Sequence, residues 1–372
     1  MQTIDISQFH KDDSFYPHLD LVITVKSFDL QAIRRRYIAS RKNKSGKAGS
    51  VERRKVSTGG VVSLSLEKGN LINPEVLLRT KEPRGIDVQD NKLAVATEDI
   101  VYVHDGKSDY VLTHPWFSYI HTVRFSPHDP NRILVVSSGL DMLLEVDFKT
   151  KEIEFEWLAW ENNWDTAHDP KSNEEIKLTR SPEMAKKYEE EGINFKLINN
   201  PRGQVLPTAM RAAFINSVAY DPNDEDILYA TFFHEGAVFK LDQKTGLTEK
   251  VLGDLQNPHG GFPLATSIFA TSTSSGEVVI KGNNGTIQRI DFSQLSGKAE
   301  GLGKLEWLQN SIAIDENRFL TIDSNRNQFI VFDIVAEKYD AIPYDDDWAI
   351  QDIVVHSLTR KEKNWLSSIV TH

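Results

Sequence analysis

Asn216-Ser217-Val218-Ala219-Tyr220 opens the stretch that decides the fold. A polar residue leads an alternating apolar run, the chain turns at Asp221-Pro222-Asn223-Asp224, and a second run follows as Ile227-Leu228-Tyr229-Ala230. After His234-Glu235-Gly236 comes Val238-Phe239-Lys240-Leu241-Asp242, then a Lys244-Thr245-Gly246 turn and a fourth run ending at Leu252. Period-two alternation rich in β-branched and aromatic residues reads as strand, and clusters of Asp, Pro, Asn and Gly read as turns. The unit is four short strands joined by reversals, the make-up of one propeller blade.

Outward from this stretch the unit repeats. His121-Thr122-Val123-Arg124-Phe125 and Asn310-Ser311-Ile312-Ala313-Ile314 begin clear copies; Arg84-Gly85-Ile86-Asp87 and Pro258-His259-Gly260-Gly261 begin weaker ones. The offsets from 84 to 121, 216 to 259, 259 to 310 and 310 to 352 are 37, 43, 51 and 42 residues, close to the roughly 40 to 50 of propeller repeats. The gap from 121 to 216 holds one unit and an insertion of similar length. Asp352-Ile353-Val354-Val355 resembles an innermost strand without partners, and Leu21-Val22-Ile23-Thr24-Val25 a second strand without a first. Joining them completes a sixth unit and hides two open edges. The expected fold is all-β, one six-bladed β-propeller over residues 1–372, with seven blades the alternative if residues 161–208 form a degenerate one.

Residues 28–59 and 161–208 are the two long insertions, and both fall on the face where the innermost strands begin. That face is the expected mouth of a central funnel. Ser181-Pro182-Glu183-Met184 leading to Gly192 carries a capping serine, a first-turn proline and a glycine stop, so the second insertion is expected to be partly helical. Long loops in compact domains are usually functional, which makes this one a candidate lid. The first insertion is basic: residues 34 to 55 hold ten Lys or Arg and one acid, Glu52, in a chain of net charge −11. That contrast argues against general nucleic-acid binding and for attraction of a small anion. A solvated loop tip around Lys44-Ser45-Gly46-Lys47 is the plain alternative.

A hydrophobic content of 40% supports a sizeable core. With no cysteine, disulfides and thiolate metal sites are excluded. No run approaches the roughly 18 apolar residues of a membrane span, and no basic-then-apolar leader follows Met1. The expectation is a cytoplasmic protein that spans no membrane.

The residues that open the innermost strands, Arg84, His121, Asn216, His259, Asn310 and Asp352, are expected to ring the funnel. Glu98, Asp141, His234 and Asp323 join them from neighbouring loops. Buried polar groups need partners, so such a ring asks for a metal, a ligand, trapped water or bonds among the strand ends. Asn216, Asn310, Asp323, Asp352 and Glu98 supply hard oxygens that suit a divalent cation, calcium first, with His234 beside them. The imidazoles of His121, His259 and His234 suit iron or another transition metal instead. His259, whose glycine neighbours let a ligand approach, and His121 are the candidate proton-transfer residues. Arg84, with Arg34, Arg35 and Arg36 of the basic insertion, is expected to bind substrate. Trp116 would offer an apolar wall and His168 a contact from the lid. No nucleophile elbow, P-loop, zincin helix or dinucleotide fingerprint occurs.

Asn216-Ser217-Val218-Ala219 and Asn310-Ser311-Ile312-Ala313, with Thr321-Ile322-Asp323-Ser324, resemble the Asn-Gly-Ile-Ala blade starts of the strictosidine synthase, paraoxonase and gluconolactonase superfamily. The resemblance implies a six-bladed propeller, a central calcium bound by Asn216 and Asn310, and hydrolysis of lactones or esters. Serine replaces glycine in both openings, and histidine stands at 121 and 259. The expected function is a small-molecule enzyme at the funnel mouth, dependent on a divalent cation, hydrolase- or lactonase-like, acting on an anionic substrate. A noncatalytic propeller that binds a protein or ligand, and a histidine-ligated redox-metal enzyme, are the alternatives.

Overall fold

The computed structural model describes residues 1–40, 47–52, 56–299 and 301–370. Five four-stranded antiparallel sheets are each built from consecutive strands, spanning residues 86–113, 120–158, 215–252, 259–291 and 308–343. A sixth joins the two ends of the chain: Ala349–Val355 pairs with Leu19–Ser27, which continues through Thr58–Glu67 to Asn70–Lys81. In that pairing Asp352 lies opposite Thr24 and Val355 opposite Leu21. Each innermost strand packs beside the next, 349–355 beside 86–89, then 120–125, 215–220, 259–263 and 308–313, which packs in turn beside 349–355.

A sheet clasped between two others buries both faces, so its central strands carry apolar residues at successive positions. Ile133-Leu134-Val135-Val136 is fully buried on that account. The wedges between sheets widen outward and take large rings. Trp164 meets Phe232 at 4.9 Å and Phe239 at 5.2 Å, both edge-on, a geometry in which the ring quadrupoles attract. Trp157 joins the same cluster, and its indole N–H donates to the Gly246 carbonyl at 3.1 Å.

The N-terminal segment adds two short outer strands to sheets formed by distant parts of the chain. Gln2–Asp5 pairs in parallel with Ile287–Asp291, and His10–Lys11 with Lys338–Pro343. Ile6 and Phe9 are buried between them against Phe292, Leu295 and Phe332. Two otherwise open sheet edges are thereby covered.

Residues 161–208 do not make a blade. Thr166–His168, Glu175–Thr179 and Phe195–Leu197 form a small mixed sheet whose second pair is parallel, and helix Pro182–Glu190 is capped by Ser181, which accepts the Met184 N–H at 3.2 Å. The basic insertion, expected as a loop, holds helix α1, Leu30–Ser40. Leu30 and Ile33 are buried against Trp307 and Ala349, and Tyr37 stacks on Trp307 at 5.0 Å. Residues 41–46 and 53–55 of the basic stretch lie outside the described residues, and with them most of the Lys44-Ser45-Gly46-Lys47 tip. Among the described residues no helix is long and apolar enough to cross a membrane.

Candidate functional site

Five of the six innermost strands carry a β-bulge near the same end. The unpaired residues are His121, Asn216, Gly260, the pair Gln309–Asn310, and Gln351. A second irregularity in the end-joining sheet leaves Lys26 unpaired on the facing strand. A bulge turns a side chain out of the alternation of its strand, and here it aims polar groups at a shared space. Lys26, His121, Gln309 and Gln351 all line a cavity of about 140 Å³, together with His259 and Arg84. Its roof comes from α1, through Ile33, Arg36, Tyr37 and Ser40, and from Ala48, Gly49 and Ser50. The second insertion meets this roof where Lys47 Nζ donates to the Thr166 carbonyl at 3.4 Å and Ser50 Oγ to Thr208 Oγ1 at 3.4 Å.

No Asp or Glu is among the described residues that line this cavity, whereas Lys26, Arg36 and Arg84 do. Lys26 Nζ donates to Gln351 Oε1 at 3.0 Å and lies 5.3 Å from the Trp307 ring. Arg84 is 1% exposed; it pairs with Glu82 at 2.6 Å, donates to Gln351 at 3.2 Å and stacks on Tyr119 at 4.0 Å. Arg211 covers Tyr119 at 4.3 Å. Burial first, then the charge of Arg211, lowers the Arg84 pKa to about 9. Among the described residues, two buried guanidinium nitrogens near the site, Arg84 Nε and Arg36 Nη1, have no hydrogen-bond acceptor. Tyr119 itself holds a φ of +55°, a region that bulky residues enter only at a cost.

His121 and His259 face the cavity with ring centroids 6.3 Å apart. Thr273 Oγ1 bonds His259 Nδ1 at 2.8 Å. Burial, then Lys26, pulls the His259 pKa down to about 3. Burial, then Arg84, holds His121 well below its ordinary range. Both are neutral near pH 7, so each ring can give or accept a hydrogen bond but carries no charge.

The other residues proposed from the sequence are placed elsewhere. Arg34 is buried, its guanidinium donating to the Ser324 and Asn325 carbonyls at 2.7 and 3.1 Å and to Asn327, while Arg35 is exposed. Trp116 packs edge-on against Trp160 under Arg180, and His168 sits on the small sheet near Glu175. Neither lines the cavity.

The expected cation donors are similarly dispersed. Asn310 Nδ2 donates to Asp352 Oδ1 at 2.8 Å, and Asp352 Oδ2 accepts Ile86 N–H at 3.3 Å and faces Arg124 at 3.5 Å. Asn216 Nδ2 donates to the Pro258 carbonyl at 2.8 Å. Asp323 pairs with Arg326 at 3.0 Å. His234 Nε2 meets the Thr208 carbonyl at 3.0 Å, and Glu98 lines a separate small cavity beside Arg211. Among the described residues no three His, Asp or Glu group together as metal ligands. Polar groups instead tie neighbouring sheets together, with Thr24 Oγ1 donating to the Arg84 carbonyl, Thr122 Oγ1 to the Asn216 carbonyl and Gly260 N–H to Ser217 Oγ. Among the described residues these expected donors bond to neighbouring groups and do not converge on the mouth, where Lys26, Arg36 and Arg84 are the charged lining residues.

No protein-family model and no curated protein matches the sequence. Among solved structures, a chain of a nidogen/laminin complex matches with a TM-score of 0.54 at 10% identity, covering 90% of this chain and 97% of that one. A protein of unknown function from Bacteroides caccae matches with a TM-score of 0.50 at 10% identity, covering 91% and 98%. A virginiamycin B lyase from Staphylococcus aureus gives 0.42 at 10% identity over 70% and 69%. The first two are likenesses of fold, and nothing singles out the strictosidine synthase, paraoxonase and gluconolactonase superfamily. With the succession of four-stranded sheets, they show that this chain has a β-propeller fold.

Proposed function

We propose that the chain is a six-bladed β-propeller whose mouth cavity binds a small organic anion. One observation carries the reading: Lys26, Arg36 and Arg84 converge on a cavity to which no described residue contributes a lining carboxylate. An anionic oxygen in that space would be attracted by three cationic side chains in a partly buried setting, where charge attraction is stronger than in bulk water. Acid–base chemistry on the bound molecule is the second reading, favoured by the Thr273 bond that fixes His259 Nδ1 and leaves Nε2 as the ring's other nitrogen.

Thermal unfolding of the full chain in acetate, sulfate or phosphate, against chloride at equal ionic strength, tests the anion reading. Binding raises the midpoint as the ligand exceeds its dissociation constant, and Arg36→Gln removes most of that rise. Identical midpoints in all four salts would remove the reading.

A further inference from the structure

We infer that the anion is a flat aromatic monocarboxylate, an assignment that rests on the anion-binding reading above. The walls set the body of the ligand. Tyr37 and Trp307 present one stacked pair, 5.0 Å apart and inclined by 21°. Phe214 and Phe233, 4.7 Å apart, belong to a different sheet and meet His121 and His259 edge-on at 5.5 and 5.8 Å. A space lined by π systems from α1 and from the ends of two sheets favours a ring over an aliphatic body of equal volume, because offset and edge-on ring pairs attract beyond their buried area. The volume, about 140 Å³, sets the size: cavities near 150 Å³ admit a benzene-sized molecule. One ring with a short acidic group matches that size.

The head group follows from the donors. Lys26, Arg36 and Arg84 line the cavity, and the planar guanidinium matches a planar carboxylate. The neutral rings of His121 and His259 can each share a hydrogen bond with the same head. Phosphate satisfies the charge but brings no ring to the aromatic walls.

Isothermal titration of the full chain with benzoate, cyclohexanecarboxylate, acetate and inorganic phosphate tests the assignment. Benzoate is expected to bind about tenfold tighter than cyclohexanecarboxylate, with acetate and phosphate weaker still. Tyr37→Leu should erase the difference between the two rings while acetate binding persists; its thermal midpoint reports whether it folds, and the wild-type series decides the matter alone if it does not. Equal affinity for benzoate and cyclohexanecarboxylate overturns the aromatic assignment and leaves the anion reading in place. Phosphate binding tighter than benzoate overturns the carboxylate assignment. No heat with any of the four anions removes both readings.

Discussion

Arg34 and Arg36, two positions apart on α1, have opposite roles. Arg34 is spent on the Ser324 and Asn325 carbonyls and Asn327, so it fastens the helix to the 308–343 sheet. Arg36 lines the cavity. The sequence shows three consecutive arginines but not the helical phase that separates them, which is why they read as one patch. Arg34→Gln is therefore expected to cost about 1.5–3 kcal/mol of stability, the range for hydrogen bonds to charged groups, and to lower the thermal midpoint with or without anion. Arg36→Gln should leave the anion-free midpoint nearly unchanged; a wild-type melt for Arg34→Gln would contradict the clamp. His259 carries a pH dependence of definite sign. Its pKa is about 3 in the fold and about 6.5 in an unfolded chain. The unfolded state therefore takes up a proton first, and the fold loses about 1.4 kcal/mol per pH unit as pH falls from 6.5 toward 3, with no such loss above 6.5. His259→Gln removes this loss, so the stability gap between wild type and variant should narrow on acidification from pH 7 to 5. Melts across that range check it, and a constant gap would refute it.

At the scale of elements, the bulges explain what sequence could and could not reveal about the site. Arg84, His121 and His259 were identifiable because polar residues open the repeated strands. Lys26, Gln309 and Gln351 were not, because only a register shift turns them into the cavity; by alternation alone, Asn310 and Asp352 take their places. Helix α1 was missed for a related reason: its basic residues mask an apolar face made by Leu30 and Ile33. Leu30 is fully buried, so Leu30→Ala should cost about 2–5 kcal/mol and loosen the helix from Trp307. Trypsin should then cut at Arg34 to Arg36 faster than in the wild type, as read by mass spectrometry of timed digests. Equal cleavage rates would mean the helix does not depend on that contact. The outer strands Gln2–Asp5 and His10–Lys11 are too short to show any period. Deleting residues 1–12 uncovers the edges at 287–291 and 338–343 and removes Ile6 and Phe9 from the core. Light scattering should then detect self-association, since exposed edges pair with one another.

For the molecule as a whole, the repeat was legible because each unit must bury the same two faces and turn with the same chemistry. The union of the two chain ends was legible because each end lacked the strands the other supplied. The blade count from sequence rests on that union, and so does the cavity: Lys26 comes from one end of the chain, Gln351 from the other, and they meet at 3.0 Å. Closure through an antiparallel pair from Ala349 to Val355 makes the last strand a condition for the whole ring, not for one sheet alone. Without it, Thr24 and Val22 lose their partners, Asn310 loses the acceptor for its carboxamide, and the 19–27 strand becomes an open inner edge. A chain ending at residue 348 should accordingly lose cooperative unfolding and anion binding together, whereas a chain ending at residue 358, which lacks only helix Arg360–Ser368 and its flanks, should keep a cooperative transition at a lower midpoint. Calorimetry of the two truncations separates the cases. A sharp transition in the 348-residue chain would show that the sheets stand independently and that the site does not depend on the union of the two ends.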